Sequence, residues 1–181
     1  MTINISDILK LRPLKLSDAD SIAKHANNVN VWKNLTDLFP RPFLLCDAIK
    51  FINSQECVKP TSVFAIVFKE EAVGIIGISV DRQNEKLCGD IGLWIGEKYW
   101  NLGIANSVLP KMIRYSFETF LKIDCISAYI FTDNIATIKA IERAGLIKEK
   151  KIEKAILKAG IKKDIYFYRI SRKKFNEFRP I

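Results

Sequence analysis

The sequence predicts an α+β fold in which helices flank a mixed, mostly antiparallel central sheet. Short apolar runs rich in β-forming residues alternate with segments whose apolar positions recur at helical spacing. The runs at 62–68 and 73–80 are joined closely enough to pair as antiparallel strands, whereas the runs at 90–95 and 126–131 are separated by a helical segment. The chain therefore combines an antiparallel meander with strand–helix–strand crossovers, in the order βα(α)βββαβαββ.

The segments before the meander carry signals for one strand and two short helices. A strand at 10–14 precedes Ser17, which we predict as the N-cap of a helix over 17–26 because an acidic residue follows three positions later. Residues 29–43 contain Asn, Pro and aromatic side chains and are predicted as an irregular loop with one helical turn. A second short helix is predicted over 47–53.

The second half of the chain has clearer helix boundaries. Apolar residues at helical spacing predict a long helix over 107–120. The pair Asp133-Asn134 is predicted to cap a further helix, which ends at Ala144 because Gly145 suits the left-handed position after a helix. Ala159-Gly160 is predicted as the turn of a hairpin whose strands occupy 148–157 and 161–171.

Length and charge limit the possible classes of protein. The 181 residues are enough for one domain with a full core, so a single domain over 1–181 is expected. The net charge of +9 favours anionic partners, and much of the excess lies in lysines of the C-terminal part. We interpret those lysines as a solvated face rather than a nucleic-acid site, because no basic–aromatic platform or helix-turn-helix pattern accompanies them.

Other features indicate a cytoplasmic protein without a metal site. No apolar run approaches the length of a membrane span, and the N-terminus lacks a basic region followed by an apolar stretch. The four cysteines, Cys46, Cys57, Cys88 and Cys125, form no CxxC pair and are expected to be reduced, mostly in the core. The single histidine, His25, lies in a polar helical segment with no partner at metal-ligand spacing.

The segment from Ile91 to Ala105 carries the strongest functional signal. An apolar strand ends in a glycine-bearing turn, and a helical pattern begins at Asn106. A strand that leads through a glycine loop into a helix start presents backbone N–H groups that bind phosphate. An ordinary strand–turn–helix corner is the alternative interpretation of this segment alone.

Four motifs, in the predicted order of elements, resemble the GNAT superfamily of acetyl-CoA-dependent N-acetyltransferases. Within it, the chain is most similar to the branch of ribosomal-protein N-terminal (Rim-type) acetyltransferases. The resemblance covers nearly the whole chain, and it implies an acetyl-CoA-binding fold without a metal ion. The motifs are Leu11-Arg12-Pro13-Leu14 with Asp18-Ala19-Asp20, Tyr99 to Ala105, Thr132 to Thr137 with Glu142 to Leu146, and Asp164 with Tyr166 to Ile170.

The resemblance implies where acetyl-CoA would bind. The pantetheine arm would lie along one strand, at Leu93, Trp94 and Ile95, where a backbone N–H of Leu93 or Trp94 could stabilise the oxyanion. Asn134 would contact the arm from the other side, and Lys139 would reach the 3′-phosphate or belong to the polar face of its helix. Backbone N–H groups of the loop and first helical turn would hold the pyrophosphate: Asn101, Leu102, Gly103, Ile104, Ala105, Asn106 and Ser107.

The resemblance leaves the acid and base to be assigned from this chain's own residues. Many relatives carry Tyr on the last helix, where Ile141 stands here. The Rim-type branch usually carries Ser where Thr137 stands, so the resemblance makes Thr137 the candidate acid or sulfur hydrogen-bond donor, with a first-turn helix residue as the alternative. Asp90 is the candidate base and Glu97 the second choice. Ser107 replaces a frequent Glu of this branch, and Pro110 falls close to the start of the helix.

The acceptor is expected to be a primary amine, preferably a protein N-terminal α-amine. No cysteine lies in an activated motif, so direct attack within a ternary complex is expected, by a monomer or a homodimer. Alternatives are a polyamine or aminoglycoside-type acceptor, and a CoA-binding regulator without activity. Residues expected to line the acceptor pocket are Trp32, Asp37, Phe39 and Tyr168, with Pro40 and Tyr166 beside them.

Overall fold

A computed structural model describes residues 1–80 and 88–177 as two compact units. The first unit comprises Met1–Gly77 and Leu93–Ile104, and the second comprises Ile78–Gly92 and Ala105–Ile181. Within the described ranges, every helix is too short or too polar to cross a lipid bilayer.

The fold is a mixed sheet with flanking helices, as the sequence predicts. Its eight strands are hydrogen-bonded in the order β1-β2-β3-β4-β5-β6-β8-β7, in which β5 and β6 are parallel. The pairs β2–β3, β3–β4, β6–β8 and β7–β8 are antiparallel. The strands are β1 (Ile3–Ser6), β2 (Leu9–Pro13), β3 (Val63–Phe68), β4 (Glu71–Val80), β5 (Cys88–Ile95), β6 (Cys125–Phe131), β7 (Ile147–Lys158) and β8 (Ile161–Ser171).

Six α-helices lie between and after these strands in the described ranges. The longest, α4, follows β5 and contains Pro110 past its first turn, where the missing N–H leaves the carbonyl of Asn106 without its intrahelical donor. The helices are α1 (Ala19–Ala26), α2 (Val29–Trp32), α3 (Leu45–Glu56), α4 (Ile104–Thr119), α5 (Ile135–Arg143) and α6 (Arg172–Glu177).

The first unit is held together by the packing of α1 and α3 over β3 and β4. Ile22 of α1 and Ala48 of α3 are fully buried, and they join a cluster with Ala65 and Val67 of β3. The loop that the sequence predicted over 29–43 contains the single helical turn α2, as expected. The core therefore forms beneath the loop that leads from α1 to α3.

The predicted N-cap at Ser17 is wrong. Ser17 lies inside a 3-10 turn, and the first turn is closed by Asp18, whose carboxylate accepts the backbone N–H of Lys15 at 2.9 Å. The same carboxylate is bound by both terminal nitrogens of Arg12 at 2.7 Å each. A buried bidentate ion pair from β2 therefore replaces the local serine cap that the sequence pattern suggested.

The second unit is built around β6 and β8. Their neighbour β7 turns into β8 at Ala159 and Gly160, which have φ of 50° and 77°, so the predicted hairpin turn is confirmed. The predicted cap and end of α5 are also confirmed, since the side chain of Asn134 accepts the N–H of Thr137 and Gly145 has φ of 93°.

The cysteines differ from the expectation of reduced core residues. Cys88 and Cys125 face each other across the parallel pair β5–β6, with Cα atoms 4.7 Å apart, and are bonded as a disulfide. Cys46 and Cys57 are free thiols on the surface rather than core residues. Spacing along the sequence could not show this pairing, because it depends on the register between two strands that are distant in the chain.

Candidate functional site

The glycine loop between β5 and α4 has the backbone geometry of an anion cradle. Asn101 and Gly103 have φ of 62° and 74°, and α4 begins at Ile104, two residues before the predicted start at Asn106. A Cβ placed on Gly103 would meet no atom within 4 Å, so the space above the loop is open. A helix start beside open space fits the pyrophosphate of acetyl-CoA, because backbone N–H groups at such a start bind phosphate.

Most of the residues predicted to form the cradle are exposed. Asn101, Leu102 and Gly103 are exposed, and Ile104 is buried beneath them. In the first turn of α4, Ala105 is half-buried, and Asn106 and Ser107 are exposed.

Two aromatic residues fix the start of this loop. The indole N–H of Trp100 donates to the carbonyl of Ile95 at 2.7 Å, which ties the loop back to the end of β5. The hydroxyl of the buried Tyr99 donates to Oε2 of Glu71 at 2.6 Å, at the start of β4. The loop is therefore anchored to β4 through Tyr99 and to the end of β5 through Trp100.

Glu71 is the centre of a network that reaches α1. Its Oε1 lies 2.8 Å from Nε2 of His25, which is 7% exposed. Hydrogen bonds from Tyr99 and His25 lower the pKa of Glu71 to about 2, and the bond to Glu71 raises the pKa of Tyr99 to about 12. Gly96 lies against the ring of His25, where a Cβ would come within 2.9 Å of the imidazole.

Sequence reasoning missed this network. It treated His25 as part of a polar helical segment and Tyr99 only as part of a motif. Glu71 is 46 residues from His25 and 28 residues from Tyr99, so no local spacing relates the three. The only available signal was a lone histidine on α1, whose buried position is visible only once the helix is packed.

The predicted pantetheine strand is the last part of β5. Leu93 and Trp94 are half-buried and Ile95 is buried. The indole of Trp94 contacts the ring of Phe39 edge-on, with centroids 6.2 Å apart. Trp94 thus places the loop between α2 and α3 beside this strand.

Asn134, Thr137 and Lys139 belong to the second unit, at the start of α5. The Asn134 side chain accepts the Thr137 N–H at 3.2 Å, and Thr137 is half-buried while Lys139 is exposed. Ile141, in place of the tyrosine of many relatives, is 1% exposed and belongs to the core. Thr137 is therefore a hydroxyl residue held in the first turn of a capped helix.

The two candidate bases have different surroundings. Asp90 is exposed on β5, and its Oδ1 accepts the hydroxyl of the buried Ser127 on β6. Glu97 is exposed in a turn after β5, where its two oxygens accept the side-chain amides of Asn28 and Asn30 at 2.8 and 2.7 Å. Glu97 therefore links the turn to the start of α2, whereas one oxygen of Asp90 faces the serine.

The loop that includes α2 surrounds a small cavity of about 110 Å³. Trp32 lines it, and the guanidinium carbon of Arg41 lies 4.8 Å from the centre of the Trp32 ring. Phe39 stacks on Phe43 with centroids 4.6 Å apart. Asp37 is exposed in the same loop.

Tyr168, which the sequence predicts to line the acceptor pocket, is a buried residue. It is 0% exposed, and its hydroxyl donates to Oε1 of Glu142 on α5 at 2.9 Å. Burial, together with this bond, raises the pKa of Tyr168 to about 12. Side chains alternate between the two faces of β8, and Tyr168 lies on the face toward α5. Its bond to Glu142 therefore joins β8 to that helix.

The described parts of the chain, 1–80 and 88–177, contain no group of three or more His, Cys, Asp or Glu that could hold a metal ion. The predicted site residues are main-chain donors in the first unit, a capped helix start in the second unit and one side-chain carboxylate in each. This composition suits a phosphate-bearing thioester and an amine.

The chain is similar to known proteins in sequence and in fold. Residues 9–147 match the acetyltransferase (GNAT) domain. The uncharacterised N-acetyltransferase YoaA of Bacillus subtilis (strain 168) is 30% identical over 101 residues, which are 56% of this chain and 56% of YoaA. The L-amino acid N-acetyltransferase AaaT of Escherichia coli (strain K12) is 28% identical over 98 residues, which are 54% of this chain and 60% of AaaT. The matches thus span little more than half the length of these curated relatives.

A solved structure of similar fold contains coenzyme A. RimL, the ribosomal L7/L12 alpha-N-protein acetyltransferase in complex with coenzyme A, superposes with a TM-score of 0.81 at 18% identity. The match covers 94% of this chain and 98% of that one. At this identity, the likeness establishes the shared fold.

Proposed function

The chain belongs to the acetyltransferase (GNAT) family, and from this premise we propose that it transfers the acetyl group of acetyl-CoA to a primary amine. The observation that carries the proposal is the glycine loop before α4. Its positive-φ residues Asn101 and Gly103 turn the chain into a helix start beneath open space. Such a turn offers N–H groups to a pyrophosphate without requiring a basic side chain.

Other residues that the family resemblance assigns to the cofactor would supply the remaining contacts. Main-chain groups of Leu93, Trp94 and Ile95 would bind the pantetheine arm, and a N–H of this strand would stabilise negative charge on the carbonyl oxygen. Asn134 would contact the arm, and Lys139 would approach the 3′-phosphate. Asn134 can serve both as a cap and as a ligand, because its Nδ2 donors remain available when Oδ1 accepts Thr137.

The chemistry is a direct acyl transfer in a ternary complex. The amine nitrogen attacks the carbonyl carbon of the thioester, a C–N bond forms, and the C–S bond breaks. Asp90 takes, through water, the proton that the nitrogen loses and later returns it to solvent. The hydroxyl of Thr137 hydrogen-bonds the departing sulfur, which leaves as a thiolate and takes up a proton from solvent. The products are an amide and the free thiol of CoA.

We propose a protein N-terminal α-amine as the acceptor. Its pKa of about 8 is lower than the value of about 10.4 for a lysine side chain, so it requires a less effective base. The exposed Asp90, hydrogen-bonded by a serine, suits that demand. The fold shared with RimL supports the same acceptor class.

A small amine acceptor is the second candidate. The similarity to AaaT, which is named for L-amino acids, favours a small zwitterion in this case. The net charge of +9 disfavours polyamines through repulsion. A CoA-binding regulator would bind the same ligand but would release no thiol with any amine.

The test combines calorimetric titration of acetyl-CoA with thiol release across peptides, L-amino acids, polyamines and aminoglycosides. Turnover with peptides and a dissociation constant that Gly103→Val raises would support the proposal. Binding without turnover would favour the regulator, and absence of binding would refute the assigned ligand.

The assigned base is tested by Asp90→Asn. We expect kcat to fall at least tenfold at pH 7. Asp124→Asn, a change at another exposed aspartate close to β6, is the matched control. Equal rates for the two variants would remove Asp90 from the mechanism.

A further inference from the structure

One aromatic residue breaks the burial pattern of β6. Of its seven residues, only Tyr129 is exposed, at 53%. Its ring contacts that of Phe167 on β8, with centroids 5.0 Å apart, and Tyr129 and Phe167 are direct partners in the strand register. The second unit therefore presents an aromatic pair to solvent on a strand that is otherwise core.

Charged residues flank this pair at both ends of the same face. Ser127, two residues before Tyr129, bonds Asp90 on β5, so Asp90 projects from the same side. At the opposite end, Nζ of Lys150 on β7 lies 5.5 Å from the centre of the Phe167 ring. Asp90, Tyr129, Phe167 and Lys150, here called the aromatic face, thus run from a negative end to a positive one.

The negative end of the aromatic face is open. Gly92 follows Asp90 on the same side of β5, and a Cβ placed there would meet no atom within 4 Å. Burial and the charge of Asp90 raise the pKa of Tyr129, so its hydroxyl stays protonated at neutral pH. Asp90 and the ring of Tyr129 suit an ammonium group, which a carboxylate and an aromatic face both attract.

Lys150 determines the charge at the positive end of the aromatic face. Arg169, also on this side of β8, is paired with Glu149, with Nε and Nη2 each 2.7 Å from Oε1. These two charges cancel, so Lys150 determines the local sign. A carboxylate is the group that it would attract.

We propose that the aromatic face binds the first residues of a peptide acceptor, with the N-terminal ammonium at Asp90 and Tyr129 and an acidic side chain at Lys150. This inference rests on the proposed N-acetyltransferase function and specifies its acceptor. Asp90 and Gly92 lie on β5 shortly before Leu93 and Trp94, the residues whose main-chain groups are assigned to the thioester.

The geometry specifies where the acidic side chain lies in the peptide. The path from Asp90 on β5 to Lys150 on β7 crosses three strand spacings of about 4.8 Å and runs two residues along the strands, or about 16 Å in all. The Lys150 side chain leans toward β8 over Phe167, which shortens the path to about 10–14 Å. An extended chain advances about 3.3–3.6 Å per residue, so the acidic residue is the fourth or fifth.

The experiment measures both binding and turnover with eight-residue peptides that differ only at residues four and five, which are Asp, Ala or Lys. Binding is measured by calorimetry with CoA present, and turnover by thiol release. We expect the Asp peptide to bind about 10-fold more tightly than the Lys peptide, since each exposed charge contact changes affinity by about 2- to 5-fold. Lys150→Glu should reverse this preference.

Lys148→Glu is the matched control. Lys148 is on the same strand, and its Nζ lies 4.5 Å from the centre of the ring of Tyr166, which is on the opposite side of β8 from Phe167. It carries the same change of charge, so a general attraction of acidic peptides by the basic surface would respond equally to both variants. An equal response, or no preference in the unaltered protein, would overturn the inference.

Two substitutions of Tyr129 test separately whether the aromatic face binds the ammonium group. Tyr129→Leu should raise KM for peptides about 5-fold or more with a smaller change in kcat, and Tyr129→Phe should restore most of the affinity because the ring remains. Equal KM values for the Leu and Phe variants would also overturn the inference. If no amine is acetylated, the proposed function fails, while the peptide-binding preference still decides the role of the aromatic face.

Discussion

The network of His25, Glu71 and Tyr99 predicts a pH-dependent contribution to stability that Glu71→Gln should remove. Glu71 has a pKa of about 2 in the folded protein, compared with 4.5 for an ordinary glutamate. A difference of this size corresponds to an upper limit of about 3 kcal/mol. The side chain is 36% exposed, and screening by solvent reduces the expected contribution to about 1–2 kcal/mol.

The sign follows from the lowered pKa. The folded protein binds the Glu71 proton more weakly than the unfolded chain does, so the contribution is complete above pH 4.5 and is lost as pH falls toward 2. Glutamine has nearly the same shape but no charge. Glu71→Gln should therefore lower the free energy of unfolding at pH 7, and the difference from the unaltered protein should shrink between pH 4.5 and 2.

Urea unfolding followed by tryptophan fluorescence measures this effect, at pH 7 and at intervals down to the lowest pH at which the protein stays folded. Glu70→Gln is the matched control, because Glu70 is the neighbouring residue and its side chain is 81% exposed and paired with Lys10. The reasoning is refuted if both variants lose equal stability at pH 7, or if the loss in Glu71→Gln does not depend on pH.

Three further predictions concern single residues of the site. Gly103→Ala should weaken acetyl-CoA binding about tenfold, because alanine is strained at φ of 74° by about 1–2 kcal/mol and its methyl group enters the open space; calorimetry checks this, and unchanged affinity would contradict the cradle. Asn134→Ala should cost about 1 kcal/mol of stability in urea through loss of the α5 cap, whereas Asn134→Ser, which keeps a capping oxygen, should lose less. Tyr168→Phe should lower the free energy of unfolding by about 1 kcal/mol by removing the bond to Glu142, without changing KM for the amine. A raised KM would support the predicted place of Tyr168 in the acceptor pocket.

The candidate cofactor loop was predictable because its signal is local. Asn101 and Gly103 turn the backbone, and an amphipathic helix follows within a few residues, so composition and spacing were enough to locate it. The cap of α5 at Asn134 was predictable for the same reason, since the acceptor oxygen and the donor N–H are three residues apart. The predicted strands also match β2 to β8 in order, whereas β1 (Ile3–Ser6) was not predicted.

The sequence did not indicate features that depend on strand register or long-range packing. Tyr168 and Tyr129 are both tyrosines on adjacent strands, but one is fully buried beneath α5 and the other is exposed, which only the pairing of β6 with β8 determines. In the same way, the carboxylate of Asp18, and not the hydroxyl of Ser17, accepts the backbone N–H of Lys15 at the first turn, and it is held there by Arg12 on β2.

The sequence by itself therefore determined the family, the order of elements and the loop that fits the cofactor. The tertiary structure decided which side chains meet: the His25–Glu71–Tyr99 network, the amide contacts of Glu97 and the aromatic face that includes Asp90. The physical reason is range. Turns and caps arise from contacts within a few residues, whereas burial and charge pairing depend on elements that meet only after the chain has folded.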